Sequence, residues 1–140
     1  QALQSALQQL GIEAGFEQLE GTDDRGHAGT YDLSVYAEMT LPTGDPYSYL
    51  MNNFSTDGIQ NFGKYSNAEV DALLEQLASE VDTDKRNELA AQIDGTVLAD
   101  NSICNVFHLN MYMAMKDTVE GLNQSPVDYY HINWQTCVTE

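Results

Sequence analysis

Apolar positions along the chain change period several times, and each change marks an element. Over residues 1–10, Leu3, Leu7 and Leu10 fall at helical spacing with Ala2 and Ala6 beside them. Gly11 is a natural end for that helix, because a left-handed residue just past a helix escapes a Cβ clash when it is glycine. The period then becomes two: Ile12, Ala14 and Phe16 alternate with Glu13, Gly15 and Glu17, as a half-buried strand requires. Residues 21–30 (GTDDRGHAGT) are polar and hold three glycines, which reads as a loop. Strand character returns over 31–37 (YDLSVYA), with Tyr31, Leu33 and Val35 on one face. A turn-rich connection through Pro42, Gly44 and Asp45 follows, and Pro46 suits the first position of a short helix. Residues 52–64 form a second polar, glycine-containing loop.

The next two helices carry the strongest signals. Ser66-Asn67-Ala68-Glu69 reads as a capping box opened by Ser66, after which Val70, Leu73, Leu74, Leu77 and Ala78 form one apolar stripe. A second start lies at Asp82-Thr83, and Leu89, Ala90, Ile93, Val97 and Leu98 extend the stripe. Gly95 weakens that helix by about 1 kcal/mol relative to alanine. The short joint predicts an antiparallel pair. Strand character resumes over 103–109 (ICNVFHL) and 112–116 (YMAMK), linked by Asn110-Met111. Residues 117–140 are less periodic, broken by Gly121, Asn123 and Pro126, with an aromatic run from Tyr129 to Trp134. The order predicts one α/β layer structure, a mixed β-sheet flanked by helices.

Composition narrows the partners. The chain has 140 residues, 42% apolar and 19% charged, enough to bury a core. Five Lys plus Arg stand against 22 Asp plus Glu, a formal charge of −17, which repels phosphate backbones and anionic lipid surfaces. No apolar run approaches the ~18 residues of a membrane-spanning helix. The chain opens on Gln1 without the basic and apolar regions of an export signal, so the expectation is a piece of something longer.

Motif chemistry is sparse. Cys104 and Cys137 sit in no CxxC arrangement, and whether they pair stays open. Asp82-Thr83-Asp84 begins like a calcium loop, yet Asn87 and Ile93 stand where glycine and the bidentate glutamate belong. The acids there suit a helix start instead. His27, His108 and His131 show neither HExxH nor paired spacing, so no resident metal or cofactor is expected. No nucleophile has an evident activator, and no enzymatic activity is expected. Tyr36, Met39, Tyr47, Tyr49 and Met51 cluster around the connection after the Tyr31 strand. Flat amphipathic rings beyond a strand end suit ligand contact, and equally suit a cover for the local core. Tyr49 and Leu50 are expected on the core side.

Five segments, taken in order, resemble the extracellular solute-binding proteins of family 5, the peptide/nickel class that feeds ABC importers. They are LQQLGIEAGFEQLE, GTYDLSVYAEM, GDPYSYL, YSNAEVDALLEQLASEVDTDKRNELAAQIDGTVLAD and NVFHLNMYMAMKDTVEGL. The family patterns behind them are a helix then L-x-x-x-G-I, G-x-Y/F-D-x-x-L, D-P-x-x-x-L, Y-x-N-x-E-V-D-x-L-L with D-x-x-x-R, and a strand pair before V-x-G-L. Members are several times longer than this chain. The resemblance therefore implies a C-terminal portion, residues 1–140 as a single α/β lobe of a type II (cluster C) periplasmic-binding-protein architecture. Residues 117–140 are expected to return toward the other lobe.

The resemblance also implies the function. A solute, either a peptide or a chelated nickel complex, is captured outside the cell, two lobes close around it, and a membrane permease receives it. The remaining sequence would carry the export signal, often a lipoprotein anchor. Peptide-binding members often carry Trp and a nearby Asp after the Y-D-x-x-L strand. Tyr36 takes the aromatic position here and Glu38 is the nearest carboxylate. Some nickel members supply a His after the D-P helix, and residues 52–65 contain none. Both ligand classes stay open. The residues expected to face the cleft are Tyr36, Glu38, Met39, Thr40 and Tyr47. Two readings from other classes remain beside this one. An acidic extracellular domain could recruit a basic protein partner. A metal-assisted hydrolase would need at least two of the histidines to converge with a carboxylate.

Overall fold

A computed structural model describes residues 2–18, 31–40, 44–108, 110, 112–123 and 131–139. The chain divides into two compact units, residues 1–33 and 34–140. The predicted loop at 21–30 with His27, the Leu41-Pro42-Thr43 turn, Met111 and part of the 129–134 aromatic run lie outside the described residues.

In the first unit, α1 (Ala2–Gln9) ends as its sequence predicts. Gly11 has φ +76°, its amide donates to the Gln8 carbonyl at 3.0 Å, and the Ile12 amide donates to Leu7 at 2.9 Å. That pair of bonds is a Schellman closure, which satisfies carbonyls left open by the last turn.

In the second unit three helices enclose the core: α2 (Tyr47–Phe54), α3 (Ala68–Ser79) and α4 (Thr83–Ala99). Leu50 and Phe54 from α2, Val70, Leu74 and Leu77 from α3, and Ile93 and Val97 from α4 are its buried members. Tyr47, Tyr49, Tyr65, Leu73, Leu89, Ala90 and Ile103 pack around them. The spacings are the helical ones read from the sequence. Phe54 stands edge-on to Tyr49 at 5.6 Å and to Tyr65 at 6.4 Å, a favoured geometry for ring pairs.

Polar ties fix the helix ends. Arg86 reaches out of the first turns of α4 and donates Nε and Nη2 to the two Asp45 carboxylate oxygens at 2.9 and 2.8 Å. Its Nη1 donates to the carbonyls of Leu77 and Glu80 at 2.7 and 2.6 Å, closing the C-terminus of α3. Asp45 also accepts from the Tyr47 amide at 2.9 Å and so starts α2. At the opposite end, the Tyr65 hydroxyl and the Asn67 amide both donate to Asp100 Oδ2, at 2.6 and 2.7 Å. The start of α3 thus meets the end of α4, and the pair is antiparallel as predicted.

The N-cap of α3 is Asn67 rather than Ser66. Its side-chain oxygen accepts from Glu69 and Val70 amides, while Ser66 Oγ bonds Thr56 Oγ1 at 2.9 Å. Either residue type can cap. Asn67 is placed one residue closer, and its amide group serves Asp100 at the same time. Asp71 turns back to hold Thr56 through both carboxylate oxygens, at 2.9 and 2.6 Å, so the 55–65 loop is pinned to α3. Within that loop a Cβ at Gly58 would overlap the Asn52 carbonyl, which restricts the position to glycine.

The mixed sheet expected from the sequence is represented among the described residues by one antiparallel pair, β1 (Val119–Glu120) and β2 (Cys137–Val138). Val119 stands opposite Val138, and the Thr139 amide adds a bond to the Thr118 carbonyl at 2.8 Å. Sequence periodicity did not predict this pair. The segments at 12–17, 31–37, 103–109 and 112–116 carry no ladder where they are described. Apart from Ile103, which packs on the core, most of their large apolar residues are open, with Phe16 71% and Phe107 72% exposed. A strand is completed only by a neighbour's hydrogen bonds, whereas a helix closes its own. Cys104 and Cys137 are free and exposed. Among the described residues no helix is long and apolar enough to cross a membrane.

Core truncation should separate buried from surface apolar positions. Leu77→Ala or Ile93→Ala, both fully buried, is expected to cost about 2–5 kcal/mol in urea unfolding. Leu98→Ala, at a position 38% exposed, should cost under about 1 kcal/mol.

The ties also set a pH profile. Hydrogen bonds from Arg86 hold the Asp45 carboxyl below the usual range, and those from Tyr65 and then Asn67 do the same for Asp100. A carboxyl depressed on folding stabilises above its unfolded value, and that stability is lost as pH falls through the folded one. Burial first, and the bond to Asp100 second, push the Tyr65 phenol up to about 12. Its contribution is complete below the ordinary tyrosine value near 10 and is lost as pH rises toward 12. Urea unfolding across pH should therefore show an acid limb below about 4, which Asp45→Asn reduces. Tyr65→Phe should reduce the alkaline limb.

Candidate functional site

The residues singled out for ligand contact lie where the extended stretch 34–40 and the start of α2 come together with α4. Tyr36 is 45% exposed, Glu38 and Met39 are half-buried, and Thr40 is exposed. Tyr47 opens α2, half-buried against the core. Tyr49 marks the meeting point. Burial raises its phenol pKa to about 12, and the charges of Tyr36, Glu38 and Asp94 push in the same direction. Four residues from three parts of the chain therefore share one electrostatic neighbourhood.

Two polar atoms here stand out. Glu38 Oε2 and Ser48 Oγ are both covered, and among the described residues neither has a hydrogen-bond partner. A covered acceptor without a donor is unfavourable, most of all when it belongs to a carboxylate. A donor brought to these atoms would remove that penalty. The aromatic surface of Tyr36 lies close by, so this wall can offer stacking together with an acceptor of negative charge. Among the described residues, no Lys or Arg contributes to the neighbourhood defined around Tyr49.

Other chemistry is thinly represented. Among the described residues no group of three or more His, Cys, Asp and Glu side chains is placed to hold a metal ion. His108 is exposed, and His131 is half-buried with Nδ1 3.2 Å from the Asn123 carbonyl. The first unit carries a shallow depression of about 450 Å³ lined by Gln4, Gln8, Gly11, Ile12, Glu13 and Ala14, none of them among the expected ligand contacts.

The motif residues behind the family resemblance have a different role. Asp45, Tyr65, Asn67, Asp71 and Arg86 all bond to other parts of the second unit and build its frame. Leu50 lies in the core and Tyr49 packs on it, as expected from the sequence. Asp94 and Ser48 were not anticipated. Asp94 directly follows a fully buried residue, Ile93, on an ordinary acidic helix, and nothing in its sequence context marks it.

No protein-family model matches the chain. Curated relatives do. The chain is 26% identical over 141 residues to the nickel-binding protein NikA of Staphylococcus aureus, covering 99% of this chain and 28% of that protein. It is 30% identical over 133 residues to the probable D,D-dipeptide-binding periplasmic protein DdpA of Escherichia coli, covering 90% of this chain and 25% of that one. Among solved structures, S. aureus NikA in complex with Ni(L-His)2 superposes with a TM-score of 0.72 at 25% identity, over 97% of this chain and 30% of that chain. The chain thus spans between a quarter and a third of the length of these proteins. They are binding proteins and not enzymes, in keeping with the expectation of no catalytic activity. The fold is part of a lobe of the type II periplasmic-binding-protein architecture. With the five segments in order and these relatives matched across nearly all of its length, the chain belongs to the solute-binding proteins of family 5, the peptide/nickel class.

Proposed function

We propose that this chain is the C-terminal portion of a substrate-binding component of an ABC importer, one that captures a peptide or a chelated nickel complex. The observation that carries the reading is the match of nearly the whole chain to proteins named for binding nickel and a dipeptide. The protein works in the periplasm or outside the cell, held at the membrane by a lipoprotein anchor, and hands its cargo to a permease. Residues 117–140 return toward the other lobe. Tyr36, Glu38, Met39, Thr40 and Tyr47 form this lobe's share of the cleft wall. Tyr36 stacks on the ligand, and Glu38 accepts from its cationic or N–H groups. Among the described residues, the Glu38 oxygen without a donor and the lack of Lys or Arg around Tyr49 support that assignment. Both ligand kinds carry amino-acid groups, as Ni(L-His)2 does in the S. aureus relative.

Calorimetry of the full-length protein against a peptide series and against nickel with L-histidine tests the proposal. Binding of one class is expected, with Tyr36→Ala and Glu38→Gln each weakening it at least about tenfold, or about 1.4 kcal/mol. The isolated 140-residue chain should bind far more weakly, because half of the enclosing wall is missing. Equal affinity for chain and full-length protein would overturn the two-lobe account. Salt-sensitive binding to a cationic protein, with neither small ligand taken up, would favour the acidic interaction domain instead.

A further inference from the structure

We infer that the folded chain is held back by its own negative charge and gains stability from dissolved monovalent salt, whichever ligand it carries. The charge of −17 on 140 residues meets little internal compensation. Among the described residues a single ion pair forms between a Lys or Arg and a carboxylate, Asp45 with Arg86, and that guanidinium is already saturated by it and by two carbonyls. Among the described residues Lys64, Lys85 and Lys116 form no such pair.

The acids are also placed against one another. Asp71 and Glu75 on α3, and Asp84 and Glu88 on α4, stand four residues apart and so one turn apart on the helix surface, where like charges repel. Lys85 lies three residues before Glu88 and offsets the second pair in part, while α3 carries no cation. The last turn of α4 has no basic residue, and Asp100 caps that end, where the helix dipole is negative. Asp100 is held there by the neutral donors Tyr65 and Asn67, which leave its charge in place. Unfolding spreads these carboxylates apart, so the repulsion acts on the folded state. Salt shortens its range from about 10 Å at 0.1 M to about 3 Å at 1 M.

Thermal unfolding of the full-length protein is measured from about 0.05 M to about 1 M NaCl, for wild type and for Glu75→Lys. The substitution exchanges residues of similar helix propensity and turns the Asp71 pair attractive. The wild-type midpoint is expected to climb by on the order of 5 °C, with most of the rise at low salt and the same curve in KCl. Glu75→Lys should lie above wild type at low salt, with the gap closing toward high salt. A midpoint that ignores salt, a curve that depends on which cation is used, or a gap that persists at high salt would each overturn the inference.

Discussion

Arg86 is the one side chain on which three elements of the second unit depend. Its guanidinium grips both oxygens of Asp45, 41 positions away in sequence, and simultaneously closes the last carbonyls of α3. A lysine could not do this, because the task needs a planar fork with several fixed donors rather than one mobile charge. Asp45 in turn starts α2 through the Tyr47 amide. The entry to α2, the exit from α3 and the first turns of α4 are therefore defined together. The Tyr65–Asp100–Asn67 group does the corresponding work at the far end. Between these two clamps the apolar stripes of the three helices have one arrangement in which all meet, and the core residues fill it.

The wall proposed for the ligand borrows its rigidity from that frame. Tyr47 and Tyr49 sit on a helix whose start is fixed by Asp45 and whose inner face is fixed by Leu50 and Phe54. Tyr36 and Glu38, on a stretch with no ladder of its own, lie within electrostatic reach of Tyr49. Burying Tyr49 keeps its phenol protonated far above physiological pH.

How much of this could be read from the sequence follows from how local each interaction is. The helices were legible because i to i+4 bonds and apolar stripes are written within a dozen residues, and the Gly11 ending needs only its own neighbours. The cap of α3 was misplaced by one residue, since Ser66 and Asn67 are both competent and only the distant Thr56 and Asp100 separate their roles. The strands were harder. Alternation at 12–17 or 103–109 records a preference for a pleated surface, but the hydrogen-bond partner lies elsewhere in the chain. The β1–β2 pair joins residues that show no alternation at all. At the site, Tyr36 and Glu38 could be named from the family pattern. Asp94 and Ser48 could not, because their relevance comes from what packs beside them.

This division also explains why the family is easier to recognise than the ligand. Asp45, Tyr65, Asn67, Asp71 and Arg86 bond to one another or to helix ends, so each is constrained by a partner many residues away. Changing one leaves a charge or donor unpaired inside the frame, and the penalty is the same whatever cargo the protein holds. Met39 and Thr40 take no part in these framework bonds. An aromatic, aliphatic or polar residue at either leaves the clamps and the core as they are. A pattern built on those bonds therefore identifies the scaffold without specifying its cargo.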